Sequence, residues 1–177
     1  MTFDETIMNR CLEIANNAFG QTTPNPMVGC VLVFENKIIG EGYHQQAGEA
    51  HAEINAINSV ENKNLIPLST LYVSLEPCSH YGKTPPCCER IVQEGIKKVV
   101  VGTIDTYADV NGKGISFLQQ NNVEVVAPLL NDACRTLNRR FFTFHEKHRP
   151  YIILKWAQSA DGFIAPENAQ QQYAISN

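Results

Sequence analysis

The chain has 177 residues, 44% of them hydrophobic and 18% charged. That predicts one ordinary domain with a real apolar core, plus a fragment of a second, and it excludes a disordered or disulfide-stapled scaffold. Fourteen basic against eighteen acidic residues leave a net charge of −4, with no Lys/Arg run longer than two, so no nucleic-acid partner is expected.

Asp4 to Phe19 places Ile7, Cys11, Ile14 and Ala18 at helical spacing, with Asp4 as the expected N-cap. Gly20 to Pro26 is a turn-rich loop. Met27 to Phe34 reads as a buried strand, Glu35-Asn36-Lys37 as a turn, and Ile38 to Tyr43 as the hairpin partner. His51 to Val60 is predicted helical. Leu71 to Leu75 is a strand, Pro86 to Glu94 a short helix stopped by Gly95, and Lys98 to Gly102 a strand. Ile115 to Asn121 is a helix, Val123 to Val126 a strand, and Leu130 to His145 one long helix. Tyr151 to Trp156 reads as a fresh strand after Pro150. Strands alternating with helices predict an α/β layer structure whose later strands run parallel. No run of about 18 apolar residues occurs, and the N-terminus lacks a signal-peptide pattern, so a cytoplasmic chain with no membrane partner is expected.

Three pieces carry chemistry. His51-Ala-Glu53 opens a helix, Pro77-Cys78 follows a strand, and Pro86-Cys87 opens the next helix. All three can meet at the C-terminal edge of a sheet. One His and two Cys form a soft, compact ligand set suited to Zn²⁺, and three protein ligands leave a fourth position for water. Zinc lowers the pKa of such a water towards about 7. Glu53, not needed to hold the metal, suits proton transfer. The ordered set His-x-Glu, Pro-Cys, Cys is the zinc deaminase pattern, with one departure: eight residues separate Cys78 from Cys87. Cys88 competes as a ligand, but it points about 100° further around the helix, which favours Cys87. The long insert puts His80 and Lys83 beside the metal as a cationic lip for an anionic substrate. His44, and Asn25 in its Pro-Asn-Pro turn, are placed to hydrogen-bond a heterocycle.

On Thr23 to Gly29 (TPNPMVG), Gly42-Tyr43-His44 with Gly48, His51-Ala-Glu53, and Leu75 to Cys88 (LEPCSHYGKTPPCC), the chain resembles the deaminase domain of the RibD family of bifunctional riboflavin-biosynthesis enzymes. The resemblance implies a cytidine-deaminase-like fold, a three-layer α/β/α sandwich around a mixed five-stranded sheet. It implies hydrolytic removal of the C2 amine of 2,5-diamino-6-(ribosylamino)-4(3H)-pyrimidinone 5′-phosphate, a small phosphorylated aminopyrimidine. By position, it makes His51, Cys78 and Cys87 zinc ligands and Glu53 the proton shuttle. Asn25, His44, His80, Lys83 and Asp105 match its substrate-binding positions, while Tyr107 stands where the family usually has Asn. A homo-oligomer is expected from the family. The resemblance divides the chain into a deaminase domain, 1–148, and a truncated start of the reductase domain, 149–177. NADPH is then expected only for the missing remainder of that domain. Two rivals stand beside this reading: a deaminase of another base, and a structural zinc staple with a closed fourth ligand, Cys88 or His80.

Overall fold

A computed structural model describes residues 1–81, 85–107, 110–158, 160 and 162. Helix α1 (Phe3–Ala15) opens on a capping box: Thr2 accepts from the Glu5 amide, and the Glu5 side chain accepts from the Thr2 amide. The N-cap is therefore Thr2, not Asp4. A second oxygen-bearing residue at Asp4 cannot cap a turn already closed by Thr2, and Asp4 instead accepts from the Tyr72 hydroxyl at 2.6 Å.

Strands β1 (Gly29–Phe34) and β2 (Lys37–Tyr43) form an antiparallel hairpin. Its turn residues Glu35 and Asn36 both have positive φ, which matches the strand twist. Helix α2 (Ala52–Ser59) leads to β3 (Thr70–Val73), α3 (Cys87–Gln93), β4 (Lys98–Val101), α4 (Lys113–Gln120) and β5 (Glu124–Val126). The sheet order is β2-β1-β3-β4-β5. β3 runs antiparallel to β1, while β4 and β5 continue in parallel. The sheet is mixed and five-stranded, as expected.

Alternating strand residues feed two cores. Leu32, Leu71, Val73, Val99 and Val101 pack under α2, α3 and α4. Val31, Val33, Tyr72 and Val100 pack under α1 and Cys134 of α5 (Asn131–Leu137). A sheet buried on both faces gives near-continuous apolar strands, and the result is the three-layer α/β/α sandwich.

Two expectations are corrected. The helix expected over Leu130 to His145 is two, α5 and α6 (Arg139–Lys147), broken at Asn138. There the Asn138 side chain ties the junction to the backbone of Met27, two residues before β1. Asn138 Oδ1 accepts from the Met27 amide and Nδ2 donates to the Met27 carbonyl, both at 2.8 Å. The strand expected over Tyr151 to Trp156 does not form. Residues 151–158 carry no regular structure, and Ile152, Ile153, Leu154 and Trp156 are exposed. A strand needs a partner ladder, and this segment is paired with none of the five sheet strands. Among the described residues, no helix is long and apolar enough to cross a membrane.

Candidate active site

The site gathers where β3, α2 and α3 meet. His51 is the N-cap of α2, in the extended conformation usual there (φ −73°, ψ 165°), and its side chain makes no capping hydrogen bond, which leaves the ring for other work. Cys78 follows β3, and Cys87 is the first residue of α3. α2 is pressed onto the sheet because β2 is bare there: a Cβ on Gly42 would meet the Ala56 amide at 2.3 Å. Asn55 anchors the helix start further, donating to the Tyr43 carbonyl at 2.9 Å.

His51 Nδ1 lies 3.3 Å from Cys87 Sγ and 3.6 Å from Cys78 Sγ. The three ligand atoms all lie within 4.8 Å of one another. Tetrahedral zinc with ordinary Zn–S and Zn–N bonds would separate such atoms by about 3.5 to 3.8 Å, so the donor set fits that ion in both chemistry and spacing. Cys88 is excluded from the cluster. Its thiol is buried and donates to the Pro77 and Gly114 carbonyls at 3.3 and 3.5 Å. His80, the other candidate fourth ligand, is also outside the cluster.

The clustered groups shift one another. Hydrogen bonding from the Cys87 side chain, aided by His51 and the Cys87 amide, holds the Cys78 thiol down at about 4. The facing Cys78 pushes the Cys87 thiol up, and burial adds to this. The bond to Cys78 raises the His51 imidazole to about 9. Burial raises the Glu53 carboxyl to about 7. Glu53 is 3% exposed and lines a cavity of about 1090 Å³ together with His51 and Cys78.

Asn25, His44, His80 and Asp105 line the same cavity; Lys83 lies outside the described residues. His44 is buried, and burial pushes its imidazole down. Its Nδ1 faces the Ala50 carbonyl and its Nε2 faces Asn25 Nδ2, both at 3.1 Å. The network assigns the proton to Nδ1 and makes Nε2 the acceptor. The His44 ring meets His51 edge-on, 5.3 Å between centroids.

Sequence reasoning missed two features. One is Glu76, whose buried carboxylate accepts from backbone amides of the β4–α4 connection: among them Asp105 and Gly112 on Oε2, Gly114 and Ile115 on Oε1, at 2.9 to 3.2 Å. It pins the β4–α4 connection, which carries Asp105 and Tyr107, to the strand exit that carries Cys78. An acidic residue inside the apolar Leu75-Glu76-Pro77 stretch was the available signal. The other is the α6 wall of the cavity, including Phe141, Phe144 and His145. No motif marks it.

A sequence profile described as "Cytidine and deoxycytidylate deaminase zinc-binding region" matches residues 1–103. The chain is 47% identical over 178 residues to "Riboflavin biosynthesis protein RibD" of Synechocystis sp., covering 100% of this chain and 48% of that protein. It is 43% identical over 139 residues to the "Diaminohydroxyphosphoribosylamino-pyrimidine deaminase" of Buchnera aphidicola subsp. Schizaphis graminum, covering 78% of this chain and 93% of that one. Among solved structures, "Acinetobacter baumannii RibD, form 1" is similar with a TM-score of 0.90 at 38% identity, over 98% of this chain and 48% of that chain. The chain spans about half the length of the RibD relatives it matches.

Proposed function

The chain belongs to the zinc-binding cytidine and deoxycytidylate deaminase family and, within it, to the RibD deaminases, and from this we propose that it hydrolyses the C2 amine of 2,5-diamino-6-(ribosylamino)-4(3H)-pyrimidinone 5′-phosphate in riboflavin biosynthesis. The observation that carries the reading is the His51, Cys78, Cys87 cluster with a buried Glu53 facing the same cavity. In this reading the three residues hold Zn²⁺, which supplies a water made nucleophilic near neutral pH.

Glu53 moves the protons. With a carboxyl raised to about 7, it can accept a proton near neutral pH and return it. It passes one proton to a ring nitrogen as oxygen bonds to C2, then one to the amine as the C2–N bond breaks, so that water and substrate become the oxo product and ammonia. The neutral His44, fixed by Ala50 and Asn25, orients the ring. Asp105, His80 and Lys83 complete the substrate contacts. Residues 1–148 carry this reaction, and 149–177 begin a second domain, to which any NADPH-dependent step belongs. A chain ending at residue 148 is therefore expected to keep deaminase turnover.

The test is turnover of the ribotide by metal-stripped chain titrated with Zn²⁺, followed by product mass. Activity rising to a plateau near one zinc per chain supports the reading. One zinc bound with no turnover would leave a structural staple.

A further inference from the structure

Asn25 and His44 sit on backbone that is short of hydrogen-bond donors. Pro24 and Pro26 carry no amide proton, and the ladder of β1 begins only at Gly29. The stretch from Asn25 to Val28 nevertheless holds His44 twice. The Val28 carbonyl accepts from the His44 amide at 2.9 Å, and Asn25 Nδ2 meets the imidazole at Nε2, 3.1 Å away. Where the His44 ring stands therefore follows from where this stretch stands.

Asn138 fixes the stretch from outside. Its buried side chain bonds both backbone groups of Met27, which lies between Asn25 and Val28. Oδ1 accepts from the Met27 amide and Nδ2 donates to the Met27 carbonyl, both at 2.8 Å. A side-chain amide carries an acceptor and a donor on one planar group, as a peptide does. The two bonds thus hold the peptide units on either side of Met27, one leading back to Asn25 and one leading on to Val28. Asn138 reaches them from the α5–α6 junction, 111 residues along the chain, and lines the same cavity as Asn25 and His44. The deaminase profile ends at residue 103, so a side chain beyond the matched residues supports two that lie within them.

We propose that Asn138 is a positioning residue for the deamination: by clamping Met27 it sets the Asn25–His44 pair against the substrate ring. The ring's identity rests on the deaminase reading above; the clamp acts on His44 whether or not that reading holds. Asn138→Ala leaves both backbone groups of Met27 without this partner and lets Asn25 and Val28 drift from His44.

The first readout is ¹⁵N NMR of the histidine rings in the zinc-loaded full chain, the His44 signals being assigned by their loss in His44→Gln. Asn138→Ala is expected to move the His44 Nε2 signal in the same direction as Asn25→Ala does, with zinc content as in wild type. The second readout is turnover. Asn138→Ala should lower kcat/KM for the ribotide by about 10- to 100-fold. The double variant with Asn25→Ala should fall well short of the product of the two single effects, because Asn138 acts through a group already removed. Should the alanine chain fail to fold, Asn138→Gln carries the same readings, since it keeps both groups and displaces them by one methylene. An unmoved His44 signal overturns the proposal, as do single effects that multiply in full. A chain that loses stability while kcat/KM stays at the wild-type value overturns it too. A wild type that turns over no ribotide, with the His44 signal still moved by Asn138→Ala, keeps Asn138 as the support of the pair and removes the deaminase reading.

Discussion

Glu53 sits two residues after a ligand-type histidine, buried and facing the cavity, and its proposed work is proton transfer rather than binding. Glu53→Gln keeps the shape and removes the titrating group, so kcat should fall by about 10²- to 10⁴-fold while zinc content stays at that of wild type. Loss of zinc in that variant would place Glu53 in the metal's shell instead. The adjacent thiols separate as sharply. Cys87→Ser should lose zinc under mild chelation, because its Sγ is one of the three clustered atoms. Cys88→Ala should keep zinc and cost about 1 kcal/mol of stability, read by urea unfolding, because its thiol only packs and donates to carbonyls. These residues were legible in the sequence because each chemistry-bearing type falls at an element boundary in a fixed order. Glu76 was not legible as a clamp. The partners described for it are backbone amides 29 to 39 residues away, and a backbone amide has no letter in a sequence.

The position of α2 depends on what β2 lacks. Adding a methyl at Gly42 drives it into the Ala56 amide and the Asn55 backbone, which cannot yield as a flexible side chain would. Gly42→Ala should therefore cost about 1 to 3 kcal/mol and weaken zinc binding by shifting His51. Unchanged zinc affinity would mean that α2 tolerates the push. The β4–α4 connection depends on Glu76 in a comparable way. Glu76→Gln presents an NH₂ to amide donors, so hydrogen exchange of the Gly112, Gly114 and Ile115 amides should speed up, with about 1 to 3 kcal/mol lost. Exchange matching wild type would show that the connection holds itself. Most elements were readable from periodicity because apolar runs and turn residues alternate cleanly. The split at Asn138 was not, since residues 130–145 keep a helical rhythm and the break is caused by a bond to Met27, 111 residues away. Tyr151 to Trp156 has the apolar composition of a strand, but composition supplies no partner for its backbone.

The fold as a whole buries thiols in both layers. Cys11, Cys30, Cys88 and Cys134 are fully buried, and burial pushes each thiol up, Cys134 to about 12. In the unfolded chain they titrate near about 8.5. Their stabilising contribution is therefore complete below about pH 8.5 and shrinks as pH rises towards the folded values, by up to about 1.4 kcal/mol per thiol per pH unit. The urea midpoint should drop steeply between about pH 8.5 and 10, and Cys134→Ala should flatten the slope. A midpoint indifferent to pH in that window would contradict this. The layer order and the parallel half of the sheet followed from alternating strands and helices. The cavity's α6 wall did not, because it depends on where the chain goes after the break at Asn138. The account as a whole stands on hydrolysis at the His51, Cys78, Cys87 cluster with Glu53 as the proton carrier. The most direct measurement is turnover of the ribotide in ¹⁸O-labelled water, with ammonia and product mass followed together in wild type and Glu53→Gln. The account predicts one labelled oxygen in the product for each ammonia released by the zinc-loaded wild type, and neither from the variant at a comparable rate. Ammonia without label, or equal turnover in the variant, would contradict it.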